Sequence, residues 1–202
     1  MRRVREKVGA AGVSSLGVDL EGCVFPQAHP FSFEEGSMNI IREYPPNINE
    51  IRKSFPVKGK SVIFAWGEDI YNPNGVQIPK HLIAHEAVHM ARQRAFVINL
   101  HGAIWEGITD ASREKGVWDW WNCYINDIKF RFDEELPAHQ AEYLWFLQNG
   151  AHRPERRRAI SEISRRLAGP LYGRLISKSA AKEMLEMCHK WRDHVIPKED
   201  AA

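Results

Sequence analysis

The chain has 202 residues, 44% of them hydrophobic and 27% charged, with a formal net charge of +2. That is the composition of an ordinary globular domain, and so small a charge argues against nucleic acid as the main partner. No run reaches the roughly 18 apolar residues of a membrane span. The widely spaced Cys23, Cys123 and Cys188 form no Cys-x-x-Cys pair, which argues against a disulfide scaffold or a thiolate zinc site and fits a reducing cytoplasm.

In chain order, residues 1–36 read as a poorly structured arm: Arg2, Arg3 and Arg5 precede Ala10, Ala11 and Gly12, but no continuous apolar core of a signal peptide develops. Met38 opens the first strand-like segment and is an alternative start to Met1. A strand is expected from Met38 to Tyr44, ended by Pro45-Pro46. Asn47 or Asn49 would cap a helix to about Ser54, which Pro56 ends. Ser61 to Trp66 is the clearest strand, being rich in β-branched and aromatic residues. Tyr71 to Gly75 reads as a turn and Val76 to Ile78 as one more short strand. Pro79 suits the first position of a helix to about Arg94.

The second half reads as helical. Val117 to about Lys129 carries Trp118, Trp121, Tyr124, Ile125 and Ile128 at three-and-four spacing, with Trp120 on another face. Phe130 to about Gln148 follows, then Pro154 to Leu167 with an Ile160, Ile163, Leu167 stripe. After Gly169-Pro170, Ser179 or a neighbour caps a last helix bearing Met184, Leu185, Cys188 and Trp191. The expected class is α+β: a core at residues 37–150, with a small N-terminal sheet and one central helix, and a helical extension at 151–202 packed on it.

The most informative stretch is His85-Glu86-Ala87-Val88-His89. Histidines four apart on a helix leave one face and can grip one metal, while Glu86 lies beside the open position and can take a proton from bound water. Leu82, Ile83, Ala87, Val88, Met90 and Ala91 flank it, as expected of a helix buried on most sides. A catalytic zinc needs a third protein ligand. The extended HExxHxxGxxH motif is absent, since Arg92 and Ala95 stand at its glycine and last histidine. The acidic segment 133–142 therefore offers the candidates Glu134, Glu135, Glu142 and His139.

Glu135-Leu136-Pro137-Ala138-His139 resembles the ExxA-type second helix of the gluzincins. The order strand, HExxH helix, glutamate-bearing helix is similar to the compact gluzincin zincin core. The run from Phe64-Ala65-Trp66-Gly67 through Tyr71-Asn72-Pro73, HEAVH with Arg92-Gln93, Trp120-Trp121 to Phe130-Arg131, and Glu135 to Tyr143 is similar to metallopeptidase-like proteins of phages and prophages. The resemblance implies a zinc metallopeptidase acting on a peptide or protein, with His85, His89 and Glu135 as ligands and Glu86 as general base. His139 stands where gluzincins often carry an acidic residue. Pro137 suggests that the second helix begins nearer Glu135.

An oxyanion donor would come from His101, Tyr124, Arg131, His139 or Tyr143, with His139 and Tyr143 singled out. Asp110 or Asp133 would orient a metal-bound histidine. The strand 61–66 would offer an edge to an extended peptide, and the Trp105, Trp118, Trp120, Trp121 group would pack in the core. Arg156, Arg157, Arg158, Arg165 and Arg166 surround the isoleucine stripe of an amphipathic, solvated helix. The competing reading is a non-catalytic zincin-like domain with a structural metal, closed by a fourth side chain, and a basic helical partner-binding surface.

Overall fold

Short apolar segments broken by proline and glycine make a small sheet, and the longer periodic ones make helices packed on it. The computed structural model describes residues 39–55, 57 and 62–195, so the expected N-terminal arm, Met38 and Ser61 lie outside the described residues. The fold is α+β, mostly helical with one three-stranded sheet. β1 (Asn39–Ile41) pairs in parallel with β3 (Asp69–Tyr71), and β2 (Phe64–Trp66) pairs antiparallel with β3, in the order β1-β3-β2. Gly67, at φ 61°, turns β2 into β3, a left-handed conformation that glycine adopts without steric cost.

β3 corrects the expectation of a strand at Val76 to Ile78, which forms none. Asn72 closes a turn instead: its side chain bonds the Val76 N–H and carbonyl, and its own carbonyl accepts from Gly75. Ile70, fully buried at the centre of the sheet, is the apolar residue that makes so short a strand worth burying.

α1 (Ile48–Ser54) buries Ile51. α2 (Lys80–His101) is longer than expected, running on to the left-handed Gly102, whose N–H caps the Ile98 carbonyl. α3 (Asp110–Asn126) starts two turns before Val117 because Thr109 caps it through Ser112. α4 (Ile128–Gln148) begins at the Asp127 cap and passes straight through Pro137. The helix therefore does not begin near Glu135. The i−4 carbonyl that Pro137 leaves unbonded belongs to Asp133, an exposed residue, so water can satisfy it, and burial of both flanks offsets the rest. α5 (Arg153–Leu167) and α6 (Lys178–Val195) follow, joined by a 3-10 turn at Pro170–Tyr172, with the Ser177 hydroxyl capping α6.

Two apolar clusters result. Trp66, Val97, Trp105, Val117, Trp120 and Trp121 centre the first, which joins the sheet to α1, α2 and α3. Trp120 is buried, as expected of the tryptophan group: it stacks on Tyr124 at 5.1 Å and meets the His89 ring edge-on. Tyr143, Ile160, Ile163, Leu167 and Leu185 centre the second, between α4, α5 and α6. The described residues belong to one compact unit with no division near residue 150. No helix among them is long and apolar enough to cross a membrane.

Arg131 is buried at the join between the two clusters. Its guanidinium donates to the carbonyls of Tyr124, Ile125 and Leu171 and lies over the Phe55 ring. It thus ties the end of α3 to the 3-10 turn. Arg131→Met is expected to strand three carbonyls and to destabilise the protein by roughly 2–4 kcal/mol. Urea denaturation would measure this, and a midpoint within 0.5 kcal/mol of wild type would disprove the latch.

Candidate metal centre

α2 and α4 face each other across a strip of buried polar side chains lying between the two apolar clusters. His85 and His89 stand one turn apart on α2, each less than a tenth exposed, with their Nε2 atoms 3.1 Å apart. Glu135 of α4 sets Oε2 3.7 Å from His85 Nε2 and Oε1 3.4 Å from His89 Nε2. These three form one buried group able to hold a metal ion, and His85, His139 and Glu142 form another. Glu134, one residue from Glu135, points away: Arg92 holds it by two hydrogen bonds of 2.6 and 2.8 Å.

His85 belongs to both groups, so its two ring nitrogens decide what they are. Nε2 faces His89 and Glu135, while Nδ1 faces Glu142 Oε2 at 3.6 Å. Glu142 is already engaged by Arg166 at 2.6 Å and by His139 Nδ1 at 2.8 Å. A guanidinium on that carboxylate disfavours a second cation there. The first group is free of that competing cation, and Glu142 lies behind it on the Nδ1 side of His85. Glu142 is thus no solvated helix face. Asp110 is almost wholly exposed, and Asp133 pairs with Lys129 on the surface, so neither serves as that carboxylate.

Two tyrosines hold Glu135 in place. Tyr124, at the end of α3, donates to Oε1, and Tyr172, from the 3-10 turn, donates to Oε2 at 2.8 Å. These are the residues whose backbone neighbourhoods Arg131 ties together, so that arginine positions the site from outside rather than serving it as a donor. Arg166 and Tyr172 escaped the sequence reading. Arg166 was one of several arginines on a basic helix, and Tyr172 sits in a Gly-Pro-Leu-Tyr-Gly loop that carries no motif. The other expectations fall elsewhere. Tyr143 packs in the second apolar cluster beside α5. His101 is exposed at the end of α2, three turns beyond His89. The side chains of Cys188, His189 and His194 lie outside the described residues.

Glu86 is buried one residue after His85. Its carboxylate accepts the Ala65 N–H, and burial pushes its pKa up to about 7, against which His89 and that N–H pull down. Gln93, about four helical turns from Pro79 and fully buried, donates to the Ala65 carbonyl and accepts the Gly67 N–H. The outward polar groups of β2 at Ala65 are thus taken by α2 side chains, so the strand offers no free edge to an extended peptide at that residue.

Burial lowers the His139 pKa to about 4, although Glu142 and Glu135 oppose this. It is neutral at pH 7, and the Glu142 carboxylate assigns its proton to Nδ1. Nε2 then carries a lone pair towards Tyr172 and Glu135, which leaves His139 no N–H for an oxyanion. Burial alone would raise Glu135 and Glu142, yet both are held low, Glu135 by the surrounding histidines and Glu142 by His139, His85 and Arg166.

These shifts set the pH response of the metal-free protein. Glu86 titrates near 7 folded against an ordinary 4.5, so the folded chain binds the extra proton in that window. Its contribution to stability therefore falls by roughly 3 kcal/mol as pH climbs through it. His139 has its pKa lowered from 6.5 to about 4, so the unfolded chain binds the extra proton and stability rises with pH by a similar amount. The two nearly cancel, and wild type should be almost flat from about pH 5 to 6.5. Glu86→Gln removes one side, and its denaturation midpoint should climb with pH over that range. A flat profile in the variant would contradict both assignments.

The chain matches no protein-family model, no curated protein and no solved structure.

Proposed function

We propose that this chain is a zinc-dependent metallopeptidase with a zincin core of gluzincin type. One observation carries the reading. Two histidines of α2 and a glutamate of α4 converge as three buried side chains able to hold an ion, with the carboxyl of Glu86 buried beside them and its pKa raised to about 7.

The donor set suits the ion: two imidazole nitrogens and one carboxylate oxygen fit zinc better than magnesium or calcium. The fit is also visible in the polar atoms. The two histidines turn their Nε2 atoms towards each other at 3.1 Å, where at most one can carry a shared proton. A cation between the Nε2 atoms and Glu135 would satisfy that arrangement. When bound, zinc would supply an acidified water, with a pKa near 7, and positive charge at the substrate carbonyl.

The rest of the chemistry belongs to the chain. Glu86, poised near neutrality, takes the proton of the attacking water and returns it to the leaving amine. The Ala65 N–H holds its carboxylate on the helix side of the site. Tyr124 and Tyr172 donate their hydroxyl protons to Glu135 and so fix its rotamer. Glu142, backed by Arg166, holds the His85 ring with Nε2 forward.

The competing reading, a structural metal with a partner-binding surface, expects four protein ligands around the ion. Among the described residues each buried group holds three, and a purely structural site has no use for a buried carboxyl at that position. The test is hydrolysis of fluorescein-labelled casein by the zinc-loaded chain. Chelation should abolish cleavage and zinc should restore it. Cleavage that survives chelation, or none at all from a chain carrying one zinc, would overturn the proposal.

A further inference from the structure

A cleft of about 540 Å³ opens between α4, α5 and α6. Its rim carries Arg153, Arg156 and Arg157 from α5 and Lys178 and Lys182 from α6, with Glu186 as the single carboxylate. Lys178 donates to Ser161 in the second half of α5, and Arg153 and Glu186 line the same cleft. The two helices therefore run antiparallel, bringing two rows of cations together.

Placing like charges three and four residues apart on each helix is destabilising in itself. Further along α5, carboxylates relieve this: Arg165 pairs with Glu162 and Arg166 with Glu142. Arg153, Arg156 and Arg157 have no carboxylate partner among the described residues, and Lys182 has only Glu186 at 3.5 Å, with both side chains about half exposed. Unneutralised guanidinium groups turned into one concavity are an anion site, because their planar forks match phosphate oxygens in pairs.

Size and shape narrow the ligand. The volume lies in the range of small-molecule sites. Glu186 stands at the Arg153 end, where it repels any further anionic group. A nucleic-acid strand or an acidic peptide needs an open track past that point, and the lining offers no exposed aromatic ring on which a base would stack. We infer that the α4–α5–α6 cleft binds a compact oligophosphate, either a free polyphosphate chain or the phosphate tail of a nucleotide.

The test uses the full chain in buffer of low ionic strength without divalent cations, titrated calorimetrically with inorganic triphosphate. One saturable site per chain is expected, weakening as salt rises. Arg153→Gln/Arg157→Gln should weaken it by about tenfold or more, through the loss of two charge-assisted contacts. Arg158→Gln, exposed on the same helix but outside the cleft, should leave it unchanged. Adenosine triphosphate binding as tightly as triphosphate would identify the phosphate chain as the determinant, and much tighter binding would identify a nucleotide.

Three results would overturn the inference: no saturable binding, an equal loss in Arg158→Gln, or tighter binding of a polyglutamate peptide or short single-stranded oligonucleotide than of triphosphate. Each titrated variant is first checked by its thermal midpoint. These residues do not touch the metal centre, so the outcome is independent of the peptidase reading.

Discussion

Glu86→Gln is expected to keep about one zinc per chain while losing hydrolysis by roughly 10²- to 10⁴-fold, the usual worth of a positioned general base. The substitution preserves shape and can still accept the Ala65 N–H through its amide oxygen, so α2 should keep its seat against β2. It removes only the group that exchanges a proton. Burial raises Glu86 to about 7 in the metal-free chain, so its carboxyl can exchange a proton near neutrality. The loss should appear in kcat with little change in KM, since the interaction lost belongs to the transition state. Unchanged hydrolysis with zinc retained would remove Glu86 from the chemistry, whatever the metal does.

The second large effect is on the metal itself. If the proposed site holds, Glu135→Ala should reduce zinc content well below one per chain, because it removes one of the three residues that would hold the ion and leaves two tyrosine hydroxyls facing a gap. The loss should exceed the roughly 10- to 100-fold fall in metal affinity expected of Glu142→Gln, which disturbs only the group orienting His85. Elemental analysis of the three proteins, purified side by side, gives the ranking. If Glu135→Ala retains full zinc while Glu142→Gln loses it, the ion sits with His85, His139 and Glu142 instead. The roles of the two shells would then be exchanged.

Much of the site was legible in the sequence. The four-residue spacing of His85 and His89 dictates one helical face, and apolar neighbours dictate burial. Neither depends on the rest of the chain. The choice between Glu134 and Glu135 was only partly legible. Adjacent helical residues diverge by about 100°, so one alone could turn to the metal, but nothing local says which. Arg92 resolves it by holding Glu134, and that pairing spans 42 residues. The burial of Glu142 was not legible, because a carboxylate on a helix is usually solvated. Arg166, 24 residues on, and the two histidines make its burial tolerable.

Helix lengths divide the same way. The caps at Gly102, Thr109 and Asp127 are local chemistry, and each is readable in the residue types once its position is known. The passage of α4 through Pro137 is not readable, because proline's local preference is overridden by burial of the helix on both sides. The sequence by itself determined the HExxH helix, the helical second half and the Trp-rich core, since these follow from periodicity and residue type over a few turns. Only the tertiary structure decided what surrounds the metal face. Glu135 is clamped by Tyr124 and Tyr172, His85 is oriented by Glu142 and Arg166, and the Ala65 N–H is given to Glu86. Most of these contacts join elements tens of residues apart, and only packing could bring them together.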